Sequence, residues 1–91
     1  MNSLPKTVSP YQQTPTFTET SVPAGLLAAH TTKDGVWAKI VVLEGELLYR
    51  ILEPDLEEVV LSAELVGVIE PQVHHEVKPL GTVKFYVEFC K

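Results

Sequence analysis

A chain of 91 residues with 45% apolar side chains is long and apolar enough for one folded domain, which argues against a wholly disordered protein. Twelve acidic residues against seven basic ones give a net charge of −5, and no Lys/Arg cluster is present, so a nucleic-acid partner is not expected. The longest apolar run, around Ile40–Leu43, is far shorter than the roughly 20 residues that span a bilayer, and the N-terminus lacks the apolar core of a signal peptide, so we expect a cytoplasmic protein with no membrane partner.

The N-terminal part of the chain is predicted to be an arm, followed by a single domain built of strands. Residues 1–13 are polar, carry Pro5 and Pro10, and are expected to lie over the body or over a neighbouring subunit. Residues 14–91 are expected to form the domain. Its first segment, TPTFTET, alternates and is rich in β-branched residues, which is typical of an edge strand.

The clearest unit is VWAKIVVL, then a Glu-Gly turn at Gly45, then ELLYRILE, which predicts a β-hairpin. Trp37 and Lys39 share one face of its first strand, and Ala38 and Ile40 share the other. Because both faces are largely apolar near the turn, we expect this pair of strands to be buried on both sides.

The remainder of the chain predicts further short strands. VVLSAE and LVGVIE are read as two of them, and the segment from His75 to Lys78 pairs with TVKFYVEFC around a turn at residues 79–81. LEEVVLSAEL is the one stretch with near-helical spacing. Prolines and glycines interrupt the chain every eight to twelve residues, which favours an all-β sandwich or barrel. The single cysteine, Cys90, is predicted to be a small apolar strand residue in a reducing compartment.

Three segments in order carry a resemblance to a known family: HTTKDGVWAKIVVLEGEL, IEPQVHHEV and KFYVEF. They resemble the small cupins of the TehB/YeaR-like family, a tellurite-resistance-associated domain that in some members precedes a methyltransferase. The similarity runs from about Leu4 to Cys90. The resemblance implies an all-β, single-domain, cupin-like double-stranded β-helix, or jelly-roll barrel. It also implies a homodimer and a pocket at the mouth of the barrel.

The first motif departs from the general cupin pattern, which has two histidines one residue apart and then a glutamate. Here His30 is followed by Thr31 and Thr32, and the glutamate position falls near Ala38 or Lys39. A site of three histidines and one glutamate therefore cannot be assembled, which weakens the expectation of the usual metal-cupin enzyme activity.

The sequence still allows a metal site with fewer histidines. His30 and His75 lie 45 residues apart, and a barrel of this kind would bring them together. Zinc or iron needs about three protein ligands, so the third would come from Glu88, with Glu70 or His74 as alternatives. We take His30, His75 and Glu88 as the predicted ligands of zinc, iron or manganese. Adjacent histidines cannot both face inward on a regular strand, so His74 or His75 is expected at the surface.

Three further residues are candidates for contact with a small-molecule or oxyanion ligand. Trp37 and Tyr49 can line a pocket, although rings of this kind more often fill a core. Lys39 can attract an oxyanion, pair with Glu88, or lie with its stem along the wall and its ammonium in water.

The sequence leaves three functions open. The first is a cupin binding module that holds a metal or small oxyanion in a tellurite or stress-resistance context. The alternative is a small metalloenzyme that uses a His/His/carboxylate site. The third is a dimeric interaction domain whose pocket has lost its ligand, since a chain this short gains core by pairing.

Overall fold

The structure of the protein, a computed structural model, describes residues 1–28 and 31–91. Over those residues the backbone forms a single 3₁₀ helix, Ala24–Leu27, and strands that account for the rest of the regular structure. The strands are β1 (Pro10–Gln13), β2 (Phe17–Thr18), β3 (Trp37–Glu44), β4 (Leu47–Ile51), β5 (Glu57–Leu61), β6 (Gly67–Ile69), β7 (His75–Pro79) and β8 (Lys84–Cys90).

The strands are arranged in two antiparallel sheets. The first sheet has the order β1-β8-β3-β6, and β2 pairs with another part of β8; the second sheet has the order β5-β4-β7. The all-β class and the single compact domain predicted from the sequence are therefore confirmed. The two sheets are not closed into one barrel by hydrogen-bonded strands, so the jelly-roll barrel is not confirmed.

The hairpin predicted around Gly45 is wrong. β3 pairs with β6 and β8, whereas β4 pairs with β5 and β7, so the turn carries the chain from one sheet to the other. Gly45 has a φ of 79°, and a Cβ at this position would overlap the carbonyl oxygen of Thr82. The pair predicted around residues 79–81 divides in the same way, with β7 in the second sheet and β8 in the first.

The stretch with near-helical spacing contains β5, which pairs with β4 in the register Leu47↔Leu61 to Ile51↔Glu57. β1 falls within the residues predicted to form the arm and pairs with β8. Just before β1, Ser9 and Lys91 exchange two backbone hydrogen bonds of 3.1 Å, which extends this pairing to the last residue.

The core lies between the two sheets, and alternate residues of each strand point into it. Strand β3 alternates between buried and half-buried positions, so only one of its faces is in the core, in contrast to the burial expected on both. Each large aliphatic or aromatic side chain that is fully buried contributes about 1.5–3 kcal/mol. The buried apolar residues of this core are Ala38, Ile40, Val42, Leu47, Tyr49, Ile51, Leu61, Ile69, Val77, Val83, Phe85 and Val87.

A polar contact also joins the sheets across this core. The hydroxyl of Tyr49, on β4, donates a hydrogen bond of 2.9 Å to the carbonyl oxygen of Val68, on β6. Tyr49 is 1% exposed, and burial is the main cause that raises the pKa of its phenol. The described residues contain no helix with the length and apolarity that crossing a membrane requires.

Candidate functional site

An apolar pocket is lined by residues of both sheets. Its volume is about 230 Å³. Ile40 and Val87 contribute to its wall from the first sheet, and His75 and Val77 from the second. Their inward positions follow from strand alternation, since Ile40, Val77 and Val87 all belong to the core cluster.

The segment before β3 completes the pocket. Phe17 of β2 packs edge-to-face on Phe85, with ring centroids 5.7 Å apart. Pro23 and Leu26 also line the pocket, and the 3₁₀ helix that carries Leu26 packs against β7. Leu26 is half-buried whereas the next residue, Leu27, is 44% exposed, so the helix turns one leucine towards the pocket and the other towards solvent.

Three residues with polar side chains line the pocket, and each bonds to the backbone. The Thr14 hydroxyl donates to the carbonyl of Pro15 and accepts from the N–H of Val87 at 3.0 Å. The Thr32 hydroxyl donates to the carbonyl of Val36 at 2.8 Å. The bond from Val87 ties Thr14 to the first sheet, and all three bonds engage the hydroxyl groups within the protein. The pocket therefore presents a mainly hydrocarbon surface.

The third polar residue of the wall is His75. It is 1% exposed, and its Nδ1 lies 3.1 Å from the carbonyl oxygen of Val73. A carbonyl oxygen only accepts, so Nδ1 carries a proton and donates. The ring also meets Tyr49 edge-on, with centroids 6.0 Å apart. These contacts fix the imidazole in the wall.

The neighbouring histidine points the other way. His74 is exposed, and its Nδ1 lies 2.6 Å from a carboxylate oxygen of Glu53. Hydrogen bonds from the ring and the backbone N–H of His74 lower the pKa of the Glu53 carboxyl. The expectation that two adjacent histidines take opposite faces is confirmed.

His75 and Glu88, the two predicted metal ligands that the structure describes, are not brought together. Glu88 lies on the face of β8 opposite to Val87, and its carboxylate binds the Lys39 ammonium at 2.9 Å on the outer face of the first sheet. This hydrogen bond is the main cause that raises the pKa of Lys39. His75 faces the core from the second sheet, so the first sheet lies between its ring and the Glu88 carboxylate. His30 lies outside the described residues.

The alternative ligands do not supply a metal site either. His74 is at the surface, and the Glu70 carboxylate accepts a hydrogen bond of 3.3 Å from the Asn2 side chain, away from the pocket. Across residues 1–28 and 31–91, no three His, Cys, Asp or Glu side chains are grouped so that they hold a metal ion.

The residues predicted to contact a ligand are spread over different surroundings. Trp37 and Lys39 are half-buried on the outer face of β3, and neither lines the pocket. Tyr49 is in the core, where its ring meets His75. Of the alternatives for Lys39, the structure shows the pair with Glu88.

The wall contains apolar residues that the sequence analysis did not single out. They are Phe17, Leu26, Ile69, Val77 and Phe89. Each looks like an ordinary core residue in the sequence, and no residue type among them indicates a site. The only available signal was the apolar stretch AGLLAA ahead of the first long strand.

Comparison with known proteins identifies the relatives of this fold. The family described as the TehB-like domain matches residues 12–87. Two Haemophilus influenzae proteins (strains KW20 Rd and 10810), each named a probable S-adenosyl-L-methionine-dependent methyltransferase TehB, are 32% and 31% identical over 90 residues. These alignments cover 89% of this chain but only 30% of the relatives, so the chain spans under a third of their length.

Two crystal structures have the same fold. TehB from H. influenzae superimposes with a TM-score of 0.84 at 30% identity, over 91% of this chain and 31% of that one. A structural genomics target from E. coli strain K12 gives a TM-score of 0.87 at 21% identity, over 100% of this chain and 97% of that one. The fold therefore makes up almost all of one protein and about a third of another.

These relatives overturn the function predicted from the sequence. A cupin module for a metal or small oxyanion, and a metalloenzyme as its alternative, do not agree with relatives that are named methyltransferases. The prediction of a divalent metal as the cofactor is likewise wrong. The relatives are named for S-adenosyl-L-methionine, and the described residues hold no metal cluster.

Proposed function

Because the chain belongs to the TehB-like domain family, we propose that it serves S-adenosyl-L-methionine-dependent methylation as a non-catalytic β domain, which binds a small reactant of that chemistry rather than the cofactor. The observation that carries this proposal is the apolar pocket between the sheets. The whole activity of the relatives is not assigned to this chain, which corresponds to 30% of their length.

The described residues do not fit S-adenosyl-L-methionine. This cofactor has ribose hydroxyls, a sulfonium cation and an amino-acid group. Cofactors with a ribose are commonly held where parallel strands end, at a helix N-terminus, with a carboxylate on the sugar hydroxyls. Here every strand pair is antiparallel, and the pocket is lined by no Asp or Glu among the described residues. We therefore propose that S-adenosyl-L-methionine is bound by a catalytic domain distinct from this β domain.

The distribution of the fold supports a binding role. The same fold is a third of the TehB chain in one crystal structure and nearly the whole chain in another. A unit that occurs both attached and alone has its own core, and the sheets described above have one. Such a unit can present a pocket to a catalytic domain without sharing its active site.

The test is to titrate small molecules into the purified chain and to measure the heat of binding by calorimetry. The shift in Tm that each ligand causes is a second measurement. Toluene, a neutral probe of the pocket's chemistry, is expected to bind. S-adenosyl-L-methionine and S-adenosylhomocysteine are expected to give no saturable heat. At ten times its Kd, a ligand stabilises the fold by about 1.4 kcal/mol. That raises Tm by roughly 6–11 °C in a domain of this size.

A matched pair of variants places the binding site. Leu26→Asp puts a carboxylate over the pocket and is expected to weaken toluene binding about tenfold or more, since the charge must keep its water. Leu27→Asp, one residue on and directed to solvent, is the control and should bind as the wild type does. Saturable binding of S-adenosyl-L-methionine, or equal toluene binding by both variants, would count against the proposal.

The predicted homodimer stays a prediction. Sedimentation equilibrium over a range of protein concentrations would test it independently of any ligand.

A further inference from the structure

Building on the proposed function, we infer that the pocket takes the methylated product of the reaction rather than its unmethylated acceptor. The ligand class is a neutral, mostly apolar molecule of about six to twelve non-hydrogen atoms. The size follows from the volume of about 230 Å³. A cavity of about 150 Å³ accepts benzene, and sites for drug-sized ligands begin near 300 Å³.

The chemistry of the wall distinguishes product from acceptor. Methylation replaces an O–H, N–H or S–H donor, or an anionic oxygen, by a methyl-capped atom. A donor or an anion that enters a pocket must exchange its water for protein partners, and it binds poorly where none are offered. The described wall has no lysine or arginine, its threonine hydroxyls are bonded to the backbone, and the Nδ1 of His75, its third polar residue, donates to the Val73 carbonyl. It therefore favours the methyl-capped molecule.

The residues ahead of β3 that cover the pocket increase this preference. Phe17 and Leu26 place hydrocarbon over the pocket, and the strand β2 that carries Phe17 is paired with β8. Beyond β2, a carboxylate oxygen of Glu19 accepts a hydrogen bond of 3.0 Å from the N–H of Val83, which anchors the segment to the first sheet. A ligand beneath these side chains loses part of its contact with water, so an uncompensated charge would cost more here than at an exposed surface.

Two pairs of probes test the selectivity with matched scaffolds. Methyl benzoate against benzoate compares a methyl-capped oxygen with an anion. Anisole against phenol compares it with a neutral donor. We expect methyl benzoate to bind at least about tenfold more tightly than benzoate, and anisole to bind more tightly than phenol. Equal or reversed affinities in both pairs would overturn the product assignment.

A labelling experiment tests the link to methylation without knowledge of the ligand. Cells fed methionine with a deuterated methyl group pass that group to every product of S-adenosyl-L-methionine-dependent methylation. Extract from such cells is passed over the immobilised full chain, and the eluted small molecules are analysed by mass spectrometry. We expect the wild type to enrich neutral compounds that carry the deuterated methyl, compared with Leu26→Asp.

Controls separate the possible failures. Leu27→Asp should enrich the same compounds as the wild type, and Leu26→Trp, which fills the mouth, is a second blocking variant should Leu26→Asp fold poorly. If the enriched compounds lack deuterium, or no compound is enriched over the blocked variants, the product assignment is wrong. If toluene also fails to bind, the proposed function fails with it; if toluene binds, only the assignment to product fails.

Discussion

Replacement of Gly45 by alanine is expected to destabilise the domain by about 2–4 kcal/mol. Gly45 has a φ of 79°, a left-handed conformation that costs a residue with a Cβ roughly 1–2 kcal/mol. The new methyl would also overlap the carbonyl oxygen of Thr82 and lie 3.1 Å from the Cα of Val83. Because these are backbone atoms, they cannot rotate away, and overpacking of this kind adds about 1–3 kcal/mol. The smaller entropy of the unfolded alanine chain returns about 0.4–1 kcal/mol.

Gly35→Ala is the matched control. Gly35 has nearly the same φ, 75°, but a Cβ there would meet no heavy atom of residues 1–28 or 31–91 within 4 Å. Only the conformational cost applies, and we expect a loss of about 1 kcal/mol. The difference between the two variants therefore measures how rigidly the turn between the sheets is packed on Thr82.

Urea unfolding followed by the fluorescence of the single tryptophan, Trp37, gives both free energies of unfolding. Thermal unfolding supplies a second measurement, with roughly 4–8 °C in Tm for each kcal/mol. Equal losses at Gly45 and Gly35 would refute the reasoning, because they would show that Thr82 moves away from the added methyl without cost.

Three other changes follow from single contacts. Tyr49→Phe removes the hydrogen bond to the Val68 carbonyl and is expected to lower the free energy of unfolding by about 1–2 kcal/mol in urea, with no change in the antiparallel-sheet signal by circular dichroism. Hydrogen bonds, that from Val83 foremost, lower the pKa of Glu19 below 4.5, so its contribution to stability is present above pH 4.5 and is lost as the pH falls through the lower folded value. Glu19→Gln should therefore flatten the acid side of the stability profile, and an unchanged slope would contradict this. Cys90 is 0% exposed and burial raises the pKa of its thiol, so iodoacetamide should modify it only after the protein unfolds, which mass spectrometry measures. Rapid modification of the folded protein would contradict the burial.

The alternation of residues was sufficient to predict the long strands but not their partners, and it did not predict β1, whose four residues are all exposed. The pattern through β3 separates Ala38 and Ile40 from Trp37 and Lys39, and the structure buries the first set. The same pattern is compatible with a β4 that pairs with β3 in one sheet and with a β4 that lies in the opposite sheet. The alternation of side chains shows which face of a strand is buried, but not which element covers that face. The glycine turn was therefore read as a hairpin, although it connects two sheets.

The predicted metal site failed for a related reason. On β8, Phe85 and Val87 occupy one face and Glu88 the other, and the sequence already shows that the aromatic face is the more apolar. Had that face been taken as the inner one, Glu88 would have been placed outside with Lys39, where it is found. The burial of Phe85 and Val87 therefore indicates the direction of Glu88 better than its charge does.

The family resemblance implied a pocket, but the residues of its wall could not be predicted, because a pocket is a property of space that the side chains leave unfilled. Its wall joins residues as distant as Phe17 and Val87, and each would look the same in a fully packed core. His75 was singled out because of its chemistry. Leu26 gave no such signal, although it lines the pocket.

The empty volume also bears on whether the pocket is functional. At about 24 cal/mol for each Å³, a sealed dry cavity of 230 Å³ would cost roughly 5.5 kcal/mol, and this pocket, which is open to solvent at its mouth, costs less than that. A domain of 91 residues has a total stability of about 5–14 kcal/mol, so even part of that cost is a substantial share of it. Larger side chains at positions such as Leu26 would recover part of it, since stabilising substitutions of this kind are common in natural proteins. An open volume between the two sheets of a small domain therefore supports the proposed ligand, because the apolar surface of such a ligand would fill the pocket and restore the lost contacts.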